Sequence, residues 1–128
     1  FDNKKDHLDL YKKVDVALDT FPYNGVTTSF EAIWMGVPVL TMSGYNFNSR
    51  CGESILKNAN IDNFIATSND DYIKKAVFYA NNITELENTR EKLFNGILET
   101  PLFDTKGFSK DFGEALNNML KLVSNNYK

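Results

Sequence analysis

Apolar positions along this chain come in short runs broken by turn-forming stretches, and the runs alternate between strand-like and helix-like spacing. Residues 7–13 suit a short helix with Leu8, Tyr11 and Leu10 turned inward. Residues 14–18, "VDVAL", have the β-branched content of a buried strand. "TFPYNG" then reads as a loop, because Pro22 interrupts and Asn24-Gly25 is turn chemistry. Residues 28–35 suit a helix with Phe30, Ile33 and Trp34 on one face, Trp34 among the core residues. Gly36 stops it and Pro38 cannot continue it. "PVLTM" is the next strand. A strand, a helix and a strand in so short a span require a crossover, so the two strands should be parallel and right-handed in connection.

The alternation continues. Ser49 is placed to cap a helix carrying Ile55, Leu56 and Ala59, and residues 63–67, "NFIAT", form a short strand. Asn69 or Asp70 would cap a helix with Ile73, Ala76, Val77 and Ala80 inward. Thr84 and Glu87 match a capping box before Leu86, Arg90, Leu93, Phe94 and Ile97. The last helix, residues 109–123, carries a stripe of Phe112, Ala115, Leu116, Met119, Leu120 and Val123. About three parallel strands alternating with helices make an α/β fold, partly Rossmann-like, with a two-helix tail. The length of 128 residues suits a single domain, 1–128. Three strands fall short of a complete domain of this type. With a first residue of Phe1 rather than Met, the expectation is an excised piece whose upstream region supplies a neighbour to the first strand. The bare edge of that strand is a candidate for self-association.

Composition narrows the function classes. Fourteen basic against seventeen acidic residues give a net charge of −3, a poor match to a nucleic-acid backbone. No apolar run approaches the roughly 18–20 residues of a membrane span. Cys51 stands alone, so no internal disulfide can form, which fits a reducing, cytoplasmic setting. The chain has one His and one Cys, and no metal-ligand spacing. Lys and Asn are frequent and Arg is rare, a weak pointer to an AT-rich bacterial genome.

The concentrated chemistry is "NGVTTSFE", residues 24–31. It follows a strand of a parallel sheet, where ligands bind beyond the carboxyl ends. A helix starting there offers unpaired N–H groups and partial positive charge, and phosphate is the natural guest. Thr27 and Thr28 add hydroxyl donors, Gly25 leaves space for a phosphate to approach, and Glu31 one turn later could accept from a ribose diol. The same residues have a plainer explanation: Thr28-x-x-Glu31 is also a capping box, and Asn24-Gly25 an ordinary turn. Neither G-x-G-x-x-G nor G-K-[ST] is present.

Residues 15–44, "DVALDTFPYNGVTTSFEAIWMGVPVLTMSG", resemble the donor-binding segment of the O-GlcNAc transferase and SPINDLY-like glycosyltransferases. The likeness runs on through "NSRCGESIL" and "TPLFD" and covers nearly the whole chain from His7. It implies GT-B architecture, two Rossmann-like domains with the active site between them, of which this chain would be the C-terminal part of the second. It implies transfer from a nucleotide sugar, UDP-GlcNAc first, to Ser or Thr of a protein, without a bound metal. Carried over residue by residue, the threonine pair that holds the donor diphosphate falls on Thr27 and Thr28. The ribose carboxylate falls on Glu31, where the animal enzymes have Asp. The histidine at the base falls on His7, eight before Asp15. Val26 departs from the histidine of the animal enzymes. SPINDLY-like members also lack it and can use GDP-fucose, so the sugar and base stay open, UDP-glucose included. "FPYNG" leans toward the SPINDLY-like and bacterial branch.

For His7 the plainer explanation is an exposed polar residue at a helix start. Asn24 and Arg50 are candidate cleft residues; Arg50 as a surface side chain is the alternative. Tyr45 and Phe47 would line the donor pocket or be covered by an absent first domain. Asp19 either fixes the loop or faces the cleft, and Cys51 is a small buried residue rather than a nucleophile. The resemblance puts the family's lysine and acceptor-side groups upstream, so no catalytic residue falls within this chain and the piece alone would be inactive. A non-catalytic nucleotide-binding or protein-interaction module is the alternative from another class.

Overall fold

The computed structural model describes residues 4–126. Helix α1 (Lys4–Asp9) runs into a 3-10 turn (Leu10–Lys13), followed by strand β1 (Ala17–Leu18) and helix α2 (Thr27–Trp34). Strand β2 (Val39–Met42), helix α3 (Cys51–Asn58) and strand β3 (Ile65–Ala66) come next. Helices α4 (Asn69–Asn81), α5 (Ile83–Gly96) and α6 (Thr105–Asn126) complete the order. Among the described residues the sheet has three parallel strands in the order β1-β2-β3, with Ala17 opposite Val39 and Thr41 opposite Ile65. The expected α/β architecture with a parallel crossover is therefore present. All four residues of the central strand are buried. Val39 and Leu40 join Ile33, Val37, Leu56 and Phe64 in the core.

Several local expectations are corrected. The first strand is shorter than residues 14–18. The carbonyls of Val14 and Asp15 accept hydrogen bonds from the Arg90 guanidinium rather than from a strand. Trp34 is half exposed, and the buried face of α2 is Ser29, Ala32 and Ile33. The indole leans on Phe103, ring centroids 5.5 Å apart, at the rim of the core. Ser49 does not cap α3. It is buried and its hydroxyl donates to Asn46, closing the loop after β2. The strand in residues 63–67 shrinks to Ile65–Ala66 because a 3-10 turn occupies Asp62–Phe64. Ser68, not Asn69 or Asp70, caps α4 by accepting from the Asp71 N–H.

Helix α4 is also rotated relative to its apolar pattern. Tyr72, Ala76 and Tyr79 face inward, while Ile73 and Val77 are exposed. Tyrosine wins because its ring packs and its hydroxyl still finds a partner. Tyr79 stacks on Phe64 at 4.0 Å and pairs with Asn63, and Tyr72 donates to the Asp19 carbonyl. Helix α5 starts at Ile83, so Thr84 lies inside it and the Thr84–Glu87 box is absent. Leu86, Leu93 and Ile97 are buried, but Phe94 is exposed. Phe112, Leu116, Met119, Leu120 and Val123 of α6 are exposed among the described residues, so that stripe has no partner within this body. Gly36 does end α2, with φ of +72°, a conformation that favours glycine.

Candidate functional site

The chain leaves β1 at Asp19 and reaches α2 through residues 20–26, at the carboxyl ends of the strands. Helix α2 begins at Thr27, and no side chain of the described residues caps it. Thr27 and Thr28 are exposed, while Ser29 is buried and donates its hydroxyl to the Gly25 carbonyl at 2.8 Å. Thr28 is thus the second residue inside the helix rather than its cap. The capping-box explanation of Thr28 and Glu31 is not realised. What remains is an open helix tip with two exposed threonines and the N–H groups of a first turn. A hollow of about 180 Å³ lies beside it, lined by Tyr11, Asp19, Thr20, Gly25, Thr28 and Ser29 among others.

Glu31 turns toward α1. Its Oε2 lies 3.0 Å from His7 Nε2, both side chains partly exposed. His7 meets Tyr11 edge-on, and the Tyr11 hydroxyl reaches the Thr28 carbonyl at 3.4 Å. Burial, with the nearby charge of Glu31 second, pushes the Tyr11 hydroxyl up from its ordinary value. The structure therefore brings His7, Glu31 and Thr28 together across 24 residues of sequence, with Tyr11 between them. The sequence pattern marks Tyr11 only as an inward residue of a short helix.

Gly25 offers space rather than a donor. Its N–H is already given to Asp19 Oδ1 at 2.7 Å. Its missing side chain matters instead, because a Cβ there would stand 2.5 Å from Thr28 Oγ1. Asn24 is not a cleft residue: it is 1% exposed and its amide is spent inside the fold. Nδ2 donates to the Thr20 carbonyl at 2.9 Å, and Oδ1 accepts from the Gly52 N–H at 3.2 Å in the first turn of α3. One side chain therefore braces the loop after β1 and caps the helix after β2.

Asp19 fixes the loop and also lines the hollow beside α2. Oδ1 accepts from the Thr20 and Gly25 N–H groups, and Oδ2 accepts from Thr41 Oγ1 at 2.6 Å. Its backbone is held by Leu40 and by Tyr72. Burial, with Asp19 second, raises the Tyr72 hydroxyl above its ordinary value. The signals for this network were a buried-strand threonine and a glycine inside a helix, and neither announces its partner.

Arg50 stands apart. It pairs with Glu53 at 3.0 Å and lines a separate hollow of about 650 Å³ with Val26, Phe30 and Leu102. Glu53 is buried and also accepts from Ser43 and Lys57, at 2.5 and 2.6 Å. These hydrogen bonds hold its carboxyl below the ordinary value. Tyr45 and Phe47 are over three-quarters exposed, and the half-buried Cys51 thiol donates to the Phe47 carbonyl. No described helix is long and apolar enough to cross a membrane.

Residues 1–112 match the model of the family described as glycosyl transferase family 41. A probable UDP-N-acetylglucosamine–peptide N-acetylglucosaminyltransferase SPINDLY of Solanum lycopersicum is 36% identical over 114 residues, 89% of this chain and 12% of that protein. A UDP-N-acetylglucosamine–peptide N-acetylglucosaminyltransferase of Caenorhabditis elegans is 30% identical over 118 residues, 92% of this chain and 10% of that protein. A mutant O-GlcNAc transferase of Thermobaculum terrenum superposes with a TM-score of 0.83 at 34% identity, over 91% of this chain and 22% of that one. The chain spans about an eighth of the length of the first of these relatives.

Proposed function

This chain belongs to glycosyl transferase family 41, and on that premise we propose that it forms the donor-binding part of a protein O-glycosyltransferase. The open tip of α2 receives the diphosphate of a nucleotide sugar, with Thr27 and Thr28 as hydroxyl donors. Gly25 gives room for Thr28, Glu31 meets the ribose, and His7 lies toward the base. The observation that carries this is the uncapped first turn with two exposed threonines beside a hollow at the carboxyl end of β1. Ligand placement at that edge and anion binding at helix starts are both general. The 3.0 Å contact between His7 and Glu31 gives way as the nucleotide enters.

The donor proposed first is UDP-GlcNAc, the sugar nucleotide in the names of the relatives, and the acceptor is Ser or Thr of a protein. Val26, without a hydrogen-bonding side chain, favours keeping GDP-fucose and UDP-glucose as alternatives, and the 650 Å³ hollow it lines lies next to the same helix turn. Arg50 would reach the cleft only by leaving Glu53. No metal takes part in this proposal, which places the protein in the cytoplasm of a bacterium. The catalytic groups would come from the rest of the protein, so the isolated chain binds at most half a donor and turns nothing over. Self-association would use the two-residue outer edge of β1. A non-catalytic nucleotide-binding role would show the same binding without transfer.

Thr28→Val in the intact protein tests the assignment. Losing a hydroxyl that contacts a charged phosphate costs roughly 1.5–3 kcal/mol, or about tenfold or more in affinity. Isothermal titration with UDP, GDP and the corresponding sugar nucleotides reads it. Unchanged affinity for all of them would remove Thr28 from the site.

A further inference from the structure

We propose that Asp19 is the positioning residue of this site, and that its carboxylate acts through shape rather than charge. The inference rests on the diphosphate assignment above and adds the residue that sets its geometry. Every polar atom of Asp19 is engaged. Its N–H donates to Leu40, its carbonyl accepts from Tyr72, Oδ1 accepts from Thr20 and Gly25, and Oδ2 accepts from Thr41. These partners lie on β2, on α4 and at both ends of the loop. Thr41 is fully buried in the central strand, so the anchor lies inside the fold. The 2.7 Å bond to the Gly25 N–H ties the last glycine of the loop to that anchor, two residues before Thr27. The direction in which α2 presents its uncapped N–H groups follows from this tie.

The charge itself works against the ligand. A carboxylate near a bound diphosphate is repulsive, and Asp19 Oδ1 takes the Gly25 N–H that an anion could otherwise use. A role in direct binding or proton transfer would require the acid. A positioning role requires only an acceptor of the same shape. Asn meets that need: its Oδ1 can accept from Thr20 and Gly25, and the Thr41 hydroxyl can rotate to accept from Nδ2.

The two substitutions separate the possibilities in the intact protein. Asp19→Ala should weaken UDP binding and raise the donor KM by about tenfold, the order of the loop-holding hydrogen bonds lost, with the acceptor KM unchanged. Asp19→Asn should hold UDP and inorganic pyrophosphate as tightly as the parent protein or more tightly. If Asp19→Ala fails to fold, Thr41→Val removes one tie without changing side-chain volume and should give a smaller loss in the same direction. Equal damage from Asp19→Asn and Asp19→Ala would overturn the proposal, because the charge would then be needed. So would full affinity in both Asp19→Ala and Thr41→Val. Thr28→Val in the same series keeps the two ideas apart. If it leaves UDP binding intact, the diphosphate assignment fails; if it weakens binding while the Asp19 variants do not, only the positioning role fails.

Discussion

Gly52→Ala sets two physical effects of opposite sign against each other. Gly52 is the second residue of α3. Helix propensity alone favours alanine over glycine by up to about 1 kcal/mol in a helix interior, and by less near an end. Packing argues the other way. A Cβ at Gly52 would lie 2.8 Å from Asp19 Oδ2 and would overlap the side chain of Thr41. Thr41 has no exposure and cannot retreat, and Asp19 is held at every polar atom. Overfilling so tight a site costs about 1–3 kcal/mol. Turning Thr41 away to make room gives up its bond to the Asp19 carboxylate, worth about 1.5–3 kcal/mol. The Gly52 N–H, which Asn24 accepts, would shift with the helix as well. The unfavourable terms win, and the net loss should be about 1–3 kcal/mol. For a domain of this size that lowers the melting temperature by roughly 4–10 °C. Calorimetry on the parent protein and Gly52→Ala measures it, and UDP titration on the same samples should show weaker binding because the Asp19 anchor moves. A melting temperature equal to or above the parent's would refute the close packing of α3 against Thr41 and Asp19.

Two further outcomes follow from buried polar groups. Asn24→Ala should cost about 1–3 kcal/mol by urea denaturation, because the Gly52 N–H loses a buried partner and the Thr20 carbonyl a partly buried one; a loss well below about 1 kcal/mol would mean that water replaces the amide. Glu53 titrates below its ordinary value of 4.5. Its stabilisation is therefore fully present above the unfolded-state value and is lost as pH falls through the lower folded-state value. Glu53→Gln should be less stable than the parent at neutral pH by about 1–2 kcal/mol, with the gap closing in acid. Denaturation curves across that window check it, and a gap that widened in acid would reverse the sign of the argument.

Local pattern carried the fold class. The apolar runs around β1 and β2, the crossover helix between them and the glycine stop at Gly36 were all readable, because each depends on residues close in sequence. So was the position of Thr27, Thr28 and Glu31 in the first turns of α2, since all three lie within five residues of a helix start. Boundaries and inward faces were less legible. The side of α4 that packs is chosen by Tyr72 and Tyr79, whose hydroxyl partners Asp19 and Asn63 are distant in sequence or outside the helix. The length of β1 is cut by Arg90, 75 residues away from Asp15.

The amino-acid sequence by itself determined an alternating parallel α/β unit and an exposed threonine pair at a helix start, because periodicity, turn residues and helix breakers act over a few positions. Tertiary structure alone decided which polar groups were left for a ligand. Asn24 and the Gly25 N–H were consumed by partners on α3 and at the end of β1, Arg50 was drawn to Glu53, and the tip of α2 stayed uncapped. A hydrogen bond satisfied within the fold is unavailable to a substrate, and that accounting closes only when distant segments have met.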